Sequence, residues 1–167
     1  MPKTEEIVIN TSPLIAIMAA VGDLEILRTL YKNVFVPFEV CEEISAGGTE
    51  GFGIEPFEQA IWLKKWSHPL QINPLLSNSL DRGEASVIQL ALDQNIDTVC
   101  IDETVGRRFA RLSNLSVTGS MGILLRAKRE GRPISIRAAI QKMKEQGIWI
   151  SDRVVAFALR EAGELTE

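Results

Sequence analysis

Residues 81–102 read Asp81-Arg-Gly-Glu84-Ala-Ser-Val-Ile88-Gln-Leu-Ala91-Leu-Asp-Gln94-Asn-Ile-Asp-Thr98-Val-Cys-Ile-Asp102. Asp81 to Glu84 open a helix that runs to about Gln94. Thr98–Ile101 is a short apolar run and reads as a buried strand. It stops on two acids, Asp102 and Glu103. Ile88 and Ala91 follow Glu84 at four and seven residues, so this carboxylate shares the helix face turned toward a sheet. A charge there is awkward unless something satisfies it. The plain alternative is a first-turn acid complementing the helix dipole, worth ~0.3–1 kcal/mol.

The same alternation extends both ways. Upstream, Ile7-Val8-Ile9 is a strand ending at Asn10-Thr11-Ser12-Pro13. Ser12 with Pro13 is read as the cap and first turn of a helix through Val21, ended by Gly22. Asp23 caps a second helix, Asn33–Val36 forms a strand, and Pro37 opens a helix through Ile44. Residues 45–55 hold four glycines and read as a mobile loop. A helix near Phe57–Ile61, a strand near Trp62–Trp66 and loop around Pro69 and Pro74 follow. Downstream come a helix over Glu103–Leu112, a strand over Leu115–Thr118 and a helix over Ser120–Glu130. Two amphipathic helices, Ser135–Gln146 and Ser151–Ala162, each begin on serine. Strands separated by helices pair in parallel, because parallel strands need crossovers. The expected architecture is α/β, with a central parallel sheet of four to five strands and helices on both faces.

Composition agrees with one domain over 1–167. The 167 residues are 46% hydrophobic and 24% charged, and domains usually run roughly 100–200 residues. No apolar run approaches the roughly 18 residues of a spanning helix. Met1-Pro-Lys-Thr-Glu-Glu does not read as a signal peptide. Cys41 and Cys100 lack paired spacing, which fits a reducing, cytoplasmic setting. The net charge of −4 conceals a split: residues 1–102 carry 6 Lys/Arg against 15 Asp/Glu, and residues 103–167 carry 12 against 7.

In open α/β sheets, sites lie beyond the carboxyl ends of the strands. There the first strand delivers Asn10, with Thr11 and Ser12, and the Thr98 strand delivers Asp102. Each is equally readable as a turn former or a cap. Glu84 and Glu43 are the helical candidates; Glu39 shares the face of Glu43, so one of the two is free to be solvated. Converging carboxylates raise one another's pKa unless a cation sits among them. Oxygen donors without His or Cys suit Mg²⁺ or Mn²⁺ rather than zinc, and such an ion serves phosphodiester hydrolysis.

The ordered set Ile-Val-Ile-Asn10-Thr-Ser-Pro, Val-Pro-Phe-Glu-Val-Cys-Glu-Glu43-Ile, Gly-Glu84-Ala-Ser-Val-Ile-Gln-Leu-Ala and Thr-Val-Cys-Ile-Asp102 resembles the PIN domain, the nuclease fold of VapC-type toxins. Leu80-Asp-Arg-Gly-Glu-Ala, Asp102-Glu-Thr-Val-Gly-Arg-Arg, Thr118-Gly-Ser-Met-Gly-Ile, Gly147-Ile-Trp-Ile-Ser-Asp and the later Glu-Ala-Gly-Glu164 resemble an uncharacterised prokaryotic branch of it. The resemblance implies a three-layer α/β/α fold and a metal-dependent ribonuclease, the toxin of a toxin–antitoxin pair. It implies Mg²⁺ or Mn²⁺ held by Asn10, Glu43, Glu84 and Asp102, an RNA substrate, a small antitoxin and a homodimer. The family's first acid, usually Asp, is Asn10 here, which removes one charge; Asp81, Asp102 or Glu103 is left to compensate. The rival expectation is a catalytically weak module binding RNA or a partner protein.

Thr11, Ser12 and Ser120 are candidate hydrogen-bond donors to a phosphate or to Asn10. Arg107, Arg108 and Arg111 follow Asp102 on one helix and are candidate phosphate contacts, or else a solvated face. Arg126, Lys128, Arg129 and Arg132 read as plain surface, and Trp62, Trp66 and Trp149 as packing residues. One His, with no motif around Ser or Cys, gives a hydrolase triad little support. The Gly47–Gly53 stretch is not a phosphate loop, because no Lys-Ser/Thr follows it.

Overall fold

A strand can enter the middle of a sheet only if both of its faces find apolar cover, and Ile7, Val8 and Ile9 are all fully buried. The computed structural model describes residues 4–47 and 54–165. The strands are β1 (Thr4–Ile9), β2 (Tyr31–Val36), β3 (Lys64–Lys65), β4 (Thr98–Cys100) and β5 (Ser116–Thr118). They form one all-parallel sheet in the order β3-β2-β1-β4-β5. Val8 pairs with Phe35 on one side and Val99 on the other, which places β1 at the centre. From β1 the chain builds outward to β3, then returns to lay β4 against β1's other edge. The strand order therefore reverses between β1 and β4, where open sheets leave a crevice at their carboxyl ends.

The helices are α1 (Thr11–Val21), α2 (Glu25–Leu30), α3 (Phe38–Ser45), α4 (Ile54–Gln59) and α5 (Pro74–Ser79). They continue with α6 (Arg82–Gln94), α7 (Thr104–Leu112), α8 (Ser120–Arg129), α9 (Ile136–Glu145) and α10 (Asp152–Glu161). One layer groups α1, α2, α8, α9 and α10; the other groups α3, α5, α6 and α7. This is the expected three-layer α/β/α arrangement with five strands. Helix α6 crosses the β1–β4 junction, burying Ile88 and Ala91 completely.

Several local expectations change. Helix α1 starts at Thr11, with Asn10 at the capping position, so Ser12 lies inside the first turn instead of capping it. The stretch around Pro74 is helix α5 instead of loop: Pro74 takes the first helical position, where its missing N–H costs nothing, and the Asn73 side chain accepts from Leu75 N–H. The capping position of α2 is Leu24 rather than Asp23, which lies one residue earlier and accepts from Glu25 N–H. The serine caps hold, Ser135 accepting from Ala138 N–H and Ser151 from Val154 N–H. The glycine-rich loop lies largely outside the described residues, at 48–53. No helix among the described residues is long and apolar enough to cross a membrane.

Candidate functional site

Asn10 leaves the end of β1 at the topological switch point. Its backbone N–H donates to Cys100 O on β4 at 3.1 Å, which ties it to the neighbouring strand. The side chain is 4% exposed and its Oδ1 has no hydrogen-bond partner. Next to it, Thr11 Oγ1 donates to Glu43 Oε2 at 3.0 Å, linking the start of α1 to α3. Gly83, in the first turn of α6, is the point where these groups meet. A methyl group there would stand 2.9 Å from Glu43 Oε2, 3.0 Å from Asn10 Oδ1 and 3.6 Å from Asp81 Oδ1. Glycine is a poor helix residue; here it leaves open the space that three acceptor oxygens border. Asp81 caps α6 by accepting from Glu84 N–H at 2.8 Å.

Glu84 is 5% exposed. It presses against α7, where a methyl on Gly106 would lie 3.0 Å from Glu84 Cδ. Burial, then the charges of Asp81, Glu103 and Glu43, push Glu84 up to about 7. A helix N-terminus lowers carboxylate pKa values, so desolvation and repulsion outweigh the dipole here.

Asp102 is anchored from the α8 side. Its two oxygens accept from Ser120 N–H at 2.8 Å and Ser120 Oγ at 2.9 Å, at the start of α8. Arg107 donates through Nη1 to Ile101 O at 2.9 Å. A methyl on Gly119 would clash with both Asp102 Oδ1, at 2.7 Å, and Arg107 Nη1, at 2.9 Å. Ser12, Asp102, Arg107 and Ser120 line one groove. The candidates therefore make two sets of contacts, Asn10, Thr11, Glu43 and Glu84 around α6 and Ser12, Asp102, Arg107 and Ser120 beside α8, joined where Asn10 N–H meets Cys100 O. Arg108 is exposed on α7 and lines neither wall.

A family model described as a PIN domain matches residues 6–164. The chain belongs to the PIN-domain family. Its fold is of nuclease type, and PIN domains generally use divalent metal ions. No curated protein matches the chain.

Whether this PIN domain's residues suit such an ion depends on the donors present. Among the described residues no three Asp, Glu, His or Cys side chains converge on one ion-sized space. The Asn10 amide, outside that set, adds a buried, unpartnered carbonyl oxygen beside Glu43 and Asp81. Hard divalent cations take such a mixture of carboxylate and amide oxygens, so the donor chemistry fits.

Some functional features escape sequence reasoning. Gly83, Gly106 and Gly119 matter only through what approaches them in space; a glycine in the first turn of α6 was the one visible signal. Of Glu39 and Glu43, Glu39 is the buried member, accepting from Leu70 N–H at 2.9 Å. Arg126 and Lys128 are not plain surface: Arg126 pairs with Glu130 and lies over Tyr31, and Lys128 pairs with Glu164. Trp149 is 85% exposed and so is not a packing residue.

Proposed function

We propose that this PIN domain is a metal-dependent ribonuclease, with Asn10, Glu43, Glu84 and Asp102 as the residues that would hold Mg²⁺ or Mn²⁺. The observation carrying this reading is the buried, unpartnered Asn10 oxygen facing Glu43 across Gly83, at the crevice between β1 and β4. A divalent ion supplies the positive charge that lets a phosphodiester approach these acids and lets water attack it. The chain's own contributions follow from geometry. Thr11 orients the Glu43 carboxylate. Glu84, raised to about 7 by burial and neighbouring acids, is a carboxylate whose charge a bound cation would relieve. Ser120 orients Asp102, which keeps unused lone pairs, since a carboxylate accepts about four hydrogen bonds. Arg107 has guanidinium N–H groups beyond the one given to Ile101 O, and these suit a phosphate. Ser12 lies on the same groove, and Arg108 adds positive charge nearby.

The proposed setting is a cytoplasmic toxin, acting as a homodimer and restrained by a small antitoxin that covers this edge. Sequencing of the flanking DNA tests it: a short antitoxin-like reading frame beside the gene is the expected finding. A second reading, a PIN-fold module that binds RNA or a protein with weak or no cleavage, is favoured by the Asn10 amide in place of an acid. An RNA cleavage assay with Mn²⁺ separates the two. The nuclease cuts with Mn²⁺, stops with EDTA, loses activity on Asp102→Asn and gains on Asn10→Asp. No cleavage of diverse RNAs, even by Asn10→Asp, leaves the module.

A further inference from the structure

Trp149 is the most exposed aromatic side chain among the described residues, at 85%, and its presentation is structural. Gly147, with φ +82°, ends the α9 segment, and Ile148 N–H donates to Met143 O at 3.0 Å. Two residues after Trp149, Ser151 caps α10. Ile148 and Ile150 both pack on the core, so the ring between them is held outward by an anchor on each side. Phe157, 52% exposed, stands on the same groove. That groove, of about 790 Å³, is also lined by Asp102, Arg107 and Ser120. An apolar ring costs free energy when left in water. The chain beyond Glu103 is net basic, which suits a polyanion. Single-stranded RNA offers both features needed, phosphates for the arginines and unpaired bases for a flat ring.

We propose that Trp149 is a base-stacking platform: it holds an unpaired nucleobase of single-stranded RNA while the adjoining phosphate lies toward Arg107 and Asp102. This rests on the ribonuclease reading and adds to it a positioning residue that engages a base of the substrate. The test measures binding of a short single-stranded RNA, in Ca²⁺, to wild type, Trp149→Ala and Trp149→Phe. Parallel strands carry one abasic position walked along their length. Trp149→Ala is expected to weaken binding about ten- to a hundredfold, with Trp149→Phe close to wild type. At one abasic position wild type should lose as much, and Trp149→Ala nothing further. Duplex RNA should bind both proteins alike. If wild type binds and cuts RNA but Trp149→Ala binds it equally well, the platform is wrong and the nuclease reading stands. If Trp149→Ala instead turns a dimer into monomers without changing RNA affinity, the ring serves a second copy. If wild type neither binds nor cuts any RNA, both proposals fall.

Discussion

Glu84 and Glu164 are the same residue type at the N-termini of two helices, α6 and α9, yet their environments drive them in opposite directions. Glu164 is surrounded by donors. Its oxygens accept from Ile136 N–H at 2.7 Å, Arg137 N–H at 3.1 Å, Ser135 Oγ at 3.2 Å and Lys128 Nζ. Burial alone would raise its pKa, but Lys128 and these N–H and O–H groups hold it down at about 2. Glu84 is desolvated among acids and rises to about 7. A carboxylate kept for architecture is given partners. One held among like charges weakens the fold, and such strain is characteristic of functional sites.

The largest effect that could break this contrast is on chemistry. Glu84→Gln keeps the shape and removes the charge. RNA cleavage in Mn²⁺ should fall by more than the roughly 100-fold carried by outer partners of a metal site, with the circular-dichroism spectrum unchanged. Retained cleavage in Glu84→Gln, together with lost cleavage in Glu164→Ala, would reverse the assignment. The next effect is on stability. Glu164→Ala strips the start of α9 of its acceptor and should cost about 1–2 kcal/mol in urea unfolding, with cleavage intact. The sign of its pH dependence is set by the depressed pKa. The carboxylate's contribution is complete above its ordinary 4.5 and disappears as pH falls toward 2. Wild type should therefore show a steeper acid limb than Glu164→Ala.

Sequence reasoning reached one side of this contrast and not the other. Strands β1 and β4 and helix α6 were legible because short apolar runs end abruptly on polar residues, and because Ile88 and Ala91 repeat on the face of Glu84. That pattern also placed Asn10, Glu84 and Asp102 at one sheet edge. The role of Glu164 was hidden, because its partners lie on α8 and at the start of α9, 27 to 36 residues away. For the same reason the turn of Asp102 toward Ser120, 18 residues on, was not visible. Helix α5 was missed because Pro74 reads as a breaker until it is seen at the first helical position. The outward aim of Trp149 depends on two neighbouring isoleucines both finding the core, which hydrophobicity alone does not distinguish from burial of all three.

A last effect, read only as a difference between two proteins, tests the frustrated acid directly. Glu84 has a folded pKa of about 7 against an ordinary 4.5, so between those values the folded protein holds a proton that the unfolded chain has lost. Stability then falls as pH rises, since the slope follows the difference in bound protons. The contribution is complete below about 4.5, is lost through 7 and is flat beyond. This limb runs opposite to that of Glu164. The two acids together place the best stability of the metal-free protein near the pH where both ordinary carboxylates titrate. One pKa unit is worth about 1.36 kcal/mol, so the loss is on the order of 1–3 kcal/mol, overlaid on the rest of the protein's pH dependence. It is therefore best read as a difference between proteins: urea midpoints in EDTA at pH 5, 6, 7 and 8 for wild type and Glu84→Gln. Wild type should decline across the series relative to Glu84→Gln and end below it at pH 8. Parallel profiles for the two proteins would mean that Glu84 is as well compensated as Glu164, and the contrast between the two helix ends would be lost.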